Sequence, residues 1–305
     1  MHSNWGKSRP WHWCREGTDN IPTIEDIILD RDRRGVSALR SHLPDNFCEQ
    51  AAQLILDNRG RALIITGFYI LGAGAPETDG PPGAYFLGQA LQKLGYPVTY
   101  GTDRYGVFLF KDLAGSEDVV EFPITDAEAS ARFAQDLLAR LQPSVVISIE
   151  RCGSTADGRY LNMRGVDISH YTAKLDYLVL HHNATVGIGD GGNEIGMGNL
   201  VEHIPLVDTL PKEPATTPVT RLVIASVSNW GGYGLIAALS RLARQNLLPT
   251  VQAEEEIIRR MVDQGAVDGT TSQPVYTVDG FPLEENRKAV EQLHALLAEQ
   301  GIRTP

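Results

Sequence analysis

The chain reads as an α/β protein with a mainly parallel, Rossmann-like layered sheet and helices on both faces. Three observations predict this. Short apolar runs rich in β-branched residues recur along the sequence, glycine- and polar-rich loops follow them, and several loops lead into segments with helical spacing of apolar residues. Strands alternating with helices in this way form parallel sheets covered on both sides.

Residues 62–68, ALIITGF, form the first buried strand by this reading. A loop, YILGAGAPETDGPPG, leads to AYFLGQALQKLG, where Ala84, Leu87, Leu91 and Leu94 share one helical face. Gly95 suits a helix C-terminus, and YPVTYGT (96–102) is the second strand. A helix over 127–141 precedes PSVVISIE, a strand ending at Glu150. A further helix near 167–180 precedes TVGIGD, a strand ending at Asp190. TRLVIASVSN (220–229) is another strand, and Leu235, Leu239 and Leu242 align on the helix after it. A last helix follows Pro282, with Ala289, Val290, Leu293, Leu296 and Leu297 at helical spacing. No internal repeat interrupts the pattern. Residues 1–23 read as an N-terminal extension and 24–305 as the α/β domain.

At 305 residues and 42% hydrophobic, the chain can bury a sizeable core. Its net charge is −11 with no basic block, which argues against nucleic acid as a partner. A small anionic metabolite is still compatible, because local charge can oppose the global sign. No run approaches the roughly 18–20 apolar residues of a membrane helix. The N-terminus lacks the apolar run of a secretory signal. Three irregularly spaced cysteines, Cys14, Cys48 and Cys152, fit a reducing compartment, so the expected location is the cytoplasm. Trp5, Trp11 and Trp13 are equally suited to a partner contact or to the core. A homo-oligomer stays open.

Ligands of open parallel sheets bind beyond the carboxyl ends of the strands. Five polar clusters are expected at that rim: Glu77 with Asp79, Asp103 with Arg104, Glu150 and Arg151 with Asp157, Asp190 with Asn193 and Glu194, and Ser228 with Asn229. This convergence points to an enzyme. Residues 187–199, GIGDGGNEIGMGN, satisfy the G-x-G-x-x-G spacing of a dinucleotide loop. The proline-interrupted stretch that follows does not supply the required second strand and acidic residue. Asp190 would also stand where pyrophosphate charge belongs. The competing reading is a divalent metal. Asp190 and Glu194 are four residues apart, so a helix starting near Gly192 would turn both to one side. Gly191 and Gly192 would bring backbone close to the ion or its substrate. Carboxylate and amide oxygens are what Mg²⁺ or Mn²⁺ prefer. The plain alternative is a helix cap at Asp190 with Glu194 in the first turn.

The remaining clusters divide in the same way. Glu77 and Asp79 lie in a loop too glycine-rich for a plain connection, although a solvated surface loop is its ordinary reading. Arg151, Arg159 and Arg164 could each grip a carboxylate with a planar fork, and Arg164 is favoured because it accompanies Asn162 and a glycine in NMRG. Asn229 stands at a strand end beside glycines. Cys152 has no evident histidine partner, and His181 and His182 fall at the far end of their strand. Of two Val-Asp-Gly triplets, at Asp268 and Asp279, Asp268 is the one weighed as a ligand.

Together IGDGGNEIGMG, PETDGPPGA, ADGRYLNMRG, SNWGGYG and the late VDG pair resemble the D-glutamate cyclase-like family, from about residue 24 to the end. The resemblance implies an α/β fold and a Mn²⁺ or Mg²⁺ site. Vertebrate members convert D-glutamate to 5-oxo-D-proline and water, and a related archaeal branch looks like a metal-dependent phosphatase. Carried onto this sequence, the cyclase reaction implies Asp190 and Glu194 as metal ligands with Asp79 or Glu77. It implies Asp157 or Glu150 as proton acceptor, Arg164 on the substrate α-carboxylate, and Asn162, Asn193 and Asn229 around the substrate. A phosphatase on a small phosphorylated metabolite would use the same metal. A non-catalytic metabolite-binding module would need neither turnover nor metal.

Overall fold

The computed structural model describes residues 22–113 and 118–303. Trp5, Trp11, Trp13 and Cys14, and nearly all of the expected N-terminal extension, lie outside the described residues. Six strands form the central sheet: β1 (Ala62–Thr66), β2 (Val98–Thr102), β3 (Val119–Glu121), β4 (Val145–Ile149), β5 (Thr185–Gly189) and β6 (Arg221–Ile224). Their spatial order is β3-β2-β1-β4-β5-β6, and every pairing is parallel. This is the doubly wound order, with its switch point between β1 and β4. Thr66 and Ile149 pair at the carboxyl ends of those two strands, so the loops leaving them diverge around a crevice.

Nine helices are described: α1 (Ile24–Ile28), α2 (Phe47–Asp57), α3 (Pro81–Lys93), α4 (Val107–Lys111), α5 (Ala127–Leu141), α6 (Asp176–Leu180), α7 (Ser228–Ala243), α8 (Val251–Asp263) and α9 (Leu283–Glu299). Side chains alternate across a strand, so each strand feeds two cores. Ala62 and Ile64 of β1 join the larger core, built with α1, α2, α3, α7 and α9. Leu63 and Ile65 join the smaller one, with Ala134 and Leu137 of α5 and Leu178 and Val179 of α6. Every residue of β1, β2, β4 and β5 is buried, as a sheet covered on both faces requires. The predicted architecture therefore holds, and the helix expected over 127–141 has those bounds, with Asp126 accepting from the Ala129 N–H at 2.8 Å.

One expected helix forms only in part, and another does not form. Only Asp176–Leu180 of the segment 167–180 is α-helical. Asp167 accepts from the Ser169 N–H, and the Ile168 N–H bonds back to the Tyr160 carbonyl, so local alternatives take the donors a helix would use. No α-helix starts near Gly192 either; turns lead to a 3₁₀ helix at Met197–Leu200. The Glu194 carboxylate accepts from the Gly191 and Gly192 N–H groups, both at 2.7 Å, and bends the chain back on its own strand. A Cβ at Gly187 would lie 2.8 Å from the Ile195 carbonyl oxygen, so the strand must carry glycine there. Without a helix N-terminus, the GIGDGG stretch has no cradle for pyrophosphate. The spacing of Asp190 and Glu194 thus works through a turn and not through a helical face.

Cys48 and Cys152 are buried free thiols. Among the described residues, no helix is long and apolar enough to cross a membrane.

Glu254, on α8, turns inward and is fully buried. Burial first, then Glu255, pushes its carboxyl up to about 8, against the opposing influence of Tyr233 and Arg287. The folded chain therefore keeps this proton at pH 7, where the unfolded chain loses it. The contribution of this group to stability is full below about pH 4 and falls as pH rises towards 8, by about 3 kcal/mol at neutrality. Glu254→Gln, which cannot ionise, is expected to raise the urea midpoint at pH 8 and to change it little at pH 4.5. An equal gain at both pH values would assign the effect to packing instead.

Candidate active site

Two helices begin at the switch point without a cap of their own. Val227 precedes α7 and Gly80 precedes α3, and neither supplies a side-chain acceptor. Each helix is instead capped from the other's neighbourhood. The Asp79 carboxylate, just before α3, accepts from the Ser228 N–H at 2.8 Å and the Asn229 N–H at 2.7 Å. In return, the Asn229 Oδ1 accepts from the Gly80 N–H at 3.0 Å and the Gly83 N–H at 2.8 Å. The Asn229 amide also donates to the Thr78 carbonyl at 3.0 Å. Positive partial charge at the start of α7 favours the ionised form of Asp79.

Glu150 arrives from the end of β4 with φ +42, a conformation that is strained for a residue with a side chain. Gly80 (φ +93) makes room for it, because a Cβ at Gly80 would lie 2.6 Å from the Glu150 Cβ. The Ser228 hydroxyl donates to Glu150 Oε2 at 2.5 Å. Asp190 arrives from the end of β5. Asp79, Glu150 and Asp190 each offer an oxygen within 4.8 Å of the other two, and all three are buried.

Around this triad stand Glu77, Glu194 and Asp279, which are also buried. The cation set against them is Arg34. Its Nη1 lies against Asp190 Oδ1, and its Nη2 donates to Asp279 Oδ1 at 2.7 Å. Neither Asp190 oxygen has an aligned hydrogen-bond donor, and Glu77 Oε1 and Asp279 Oδ2 also lack one. Burial and mutual repulsion push Asp79, Glu77, Glu150 and Asp190 upward. Asp79 rises to about 7, through burial first and then Asp279, although the α7 N–H groups hold it down. Burial, followed by Asp279 and Asp79, raises Glu77 well above the usual range. Burial, followed by Glu194, does the same to Glu150. Asp190 is raised by burial in spite of Arg34. Burial disfavours charge on Arg34, but Asp190, Asp279, Glu150 and Asp79 together hold it firmly protonated. So many buried carboxylates beside one guanidinium can all ionise only if a further cation joins them. An all-oxygen donor set fits a hard divalent ion.

The centre opens into a cavity of about 270 Å³, lined in part by Arg34, Tyr69, Glu77, Glu150, Arg164 and Asn193. That volume suits a small metabolite better than a dinucleotide. Asn162 Oδ1 accepts from the Arg164 and Val166 N–H groups, both at 3.0 Å, and shapes the turn that presents Arg164. Arg164 is exposed and, among the described residues, has no ion-pair partner. Asn193 donates to the Leu161 carbonyl at 3.0 Å, and its buried Oδ1 is unpartnered.

Of the residues singled out in the sequence, Asp79, Glu150 and Asp190 come together, with Glu77 beside them. Glu194 is near, but its carboxylate is engaged by the Gly191 and Gly192 N–H groups. Asn229 is occupied in capping α3, and it stands in the first turn of α7 and not at a strand end. Asp157 does not reach the cavity. It is 55% exposed, pairs with Arg159 at 2.6 Å, and is held below the usual range by the Thr155 hydroxyl and then by Arg159. Arg151 is buried against Asp103 at 2.7 Å and donates to the Gly67 and Ala173 carbonyls, which is a structural role. Asp268 ties its own turn, accepting from Thr271, Thr277 and Gly280. His182 bonds to the Ala184 and Pro143 carbonyls, at the amino end of β5. Two participants escaped the sequence reading. Asp279 belongs to the Val-Asp-Gly triplet that was passed over, and Arg34 is one of three arginines in DRDRRG with no spacing to distinguish it.

The family described as D-glutamate cyclase-like, C-terminal, matches residues 24–294 of this chain. Human mitochondrial D-glutamate cyclase is 32% identical over an alignment of 327 residues, which covers 90% of this chain and 51% of that protein. The chain thus spans about half the length of that relative. A crystal structure of an exopolyphosphatase-related protein from Bacteroides fragilis aligns with a TM-score of 0.41 at 11% identity, covering 85% of this chain and 58% of the other.

Asn229→Ala would orphan the Gly83 N–H group and the Thr78 carbonyl, and would leave the Gly80 N–H only its bond to Asp79 Oδ1. A buried unsatisfied group costs about 1–3 kcal/mol. Urea unfolding is therefore expected to show a loss of about 3 kcal/mol or more. Unchanged stability would contradict the shared capping of α3 and α7.

Proposed function

We propose that this chain, which belongs to the D-glutamate cyclase-like family, is a metal-dependent lyase that converts D-glutamate to 5-oxo-D-proline and water. The observation that carries the reading is the buried triad of Asp79, Glu150 and Asp190 at the switch point, opening into a metabolite-sized cavity that Arg164 borders. The triad would hold Mn²⁺ or Mg²⁺. Such an ion supplies Lewis-acid polarisation of a carboxyl group, which is otherwise a poor electrophile.

The chain's own residues account for the remaining requirements. Arg164, without an acidic partner among the described residues, binds the substrate α-carboxylate in a planar fork, on the turn shaped by Asn162. Ring closure joins the α-nitrogen to the side-chain carboxyl carbon and breaks one of its C–O bonds. Two protons of the ammonium group leave with that oxygen as water. Glu77, with Oε1 unpartnered and bordering the cavity, is the residue we assign to take the ammonium proton. Glu150 is thereby read as a metal ligand and Asp157 as a surface residue. Folding the substrate so that amine and carboxyl meet supplies much of the rate advantage.

The test is turnover of metal-stripped protein with and without added Mn²⁺, on D-glutamate, L-glutamate and p-nitrophenyl phosphate. The expected result is Mn²⁺-dependent 5-oxoproline from D-glutamate, reduced about 100-fold or more in Asp190→Asn, a loss of about 3 kcal/mol of transition-state stabilisation. Phosphate release without 5-oxoproline would replace the cyclase by a phosphatase. No product with or without metal would leave a binding module.

A further inference from the structure

We infer that Arg34 stands in the seat of a second cation, so that this centre takes one divalent ion and not two. The inference rests on the metal reading above and concerns the stoichiometry of that centre.

Asp190 belongs to two groups of acids at once. With Asp79 and Glu150 it forms the triad, and through Arg34 it is joined to Asp279. Beside Asp279 lies Glu77. A Cβ at Gly269 would be 2.2 Å from Glu77 Oε2 and 3.3 Å from Asp279 Oδ1, so both oxygens crowd the same glycine. Glu77 Oε1 and Asp279 Oδ2 are buried without a partner. Two-ion carboxylate centres place their ions about 3.5–4 Å apart and share acids between them. With Arg34 removed, Asp190, Asp279 and Glu77 would be the acids able to draw in a second ion, with Asp190 shared; as the chain stands, Asp79, Glu150 and Asp190 are the group that converges within 4.8 Å among the described residues. The guanidinium already lies between Asp190 and Asp279.

Arginine suits that seat. Its fork spans two carboxylates, and its charge is permanent. The loop that carries it is fixed from both sides. Asp32 accepts from the N–H groups of Arg34, Gly35 and Ser37. Arg33 donates to the Gly280 carbonyl at 3.3 Å and stacks on Phe281, next to Asp279. Holding Arg34 there has a consequence for the chemistry. Glu77 is left without a metal to coordinate and remains available as the proton acceptor assigned above.

The test counts ions. Metal-stripped wild-type protein, Arg34→Met and Arg34→Lys are titrated with Mn²⁺ by equilibrium dialysis, with electron paramagnetic resonance reporting exchange coupling and circular dichroism reporting folding. Arg34→Gln replaces the Met variant if the latter does not fold. The expected result is one Mn²⁺ per wild-type or Lys chain, and two per Met or Gln chain with the spectrum of a coupled pair. Two ions in the wild type, or one ion in a folded Met or Gln variant, would overturn the inference while leaving the metal reading intact. No binding by the wild type would overturn both.

Discussion

The site depends on an exchange of caps between two helices. α3 and α7 each start with buried backbone donors and an N-cap residue that supplies no side-chain acceptor, and each receives one from the segment that leads into or opens the other. Neither helix could shift without breaking the hydrogen bonds of both. The exchange fixes the loop after β1 against the loop after β6, across the switch point of the sheet. Asp79 is consequently held in one position by main-chain donors, and Gly80 is held close enough to Glu150 to require a missing Cβ. What is fixed is backbone, so the acids brought together there have little freedom to separate.

Charge is the second constraint, and it opposes the first. Six carboxylates buried around one guanidinium repel each other, and desolvation penalises each of them. The fold holds them with hydrogen bonds that do not neutralise them: main-chain donors on Asp79 and Glu194, and a serine hydroxyl on Glu150. Asp190 has none of these and relies on Arg34. A centre built this way is stabilised by whatever positive charge enters it. The cavity beside it is small and bordered by Arg164, which has no ion-pair partner among the described residues, and so suits an acidic metabolite.

Much of this was legible in the sequence. Buried strands stood out because runs such as ALIIT and VVISI are too short and too β-branched for helices, and their order implied a rim where polar residues would meet. Glu150 and Asp190 stand out because each follows a strand directly, and Asp79 because its loop is too glycine-rich for a plain connection. Residues whose role depends on a distant partner were not legible. Asn229 looks like a ligand until Gly80 and Gly83 are seen to occupy its oxygen. The spacing of Glu194 suits a helical face, but its own carboxylate takes the Gly191 and Gly192 N–H groups and closes a turn instead. Asp157 has the right chemistry, but its neighbours Thr155 and Arg159 hold it at the surface. Arg34 and Asp279 meet across 245 positions of sequence, a distance over which no local spacing carries information.

The most direct measurement is anomalous diffraction at the manganese edge from crystals equilibrated with Mn²⁺. The expected result is a peak enclosed by Asp79, Glu150 and Asp190, with Arg34 still on Asp279. Absence of a peak among those three carboxylates, with manganese bound only at surface acids, would contradict it.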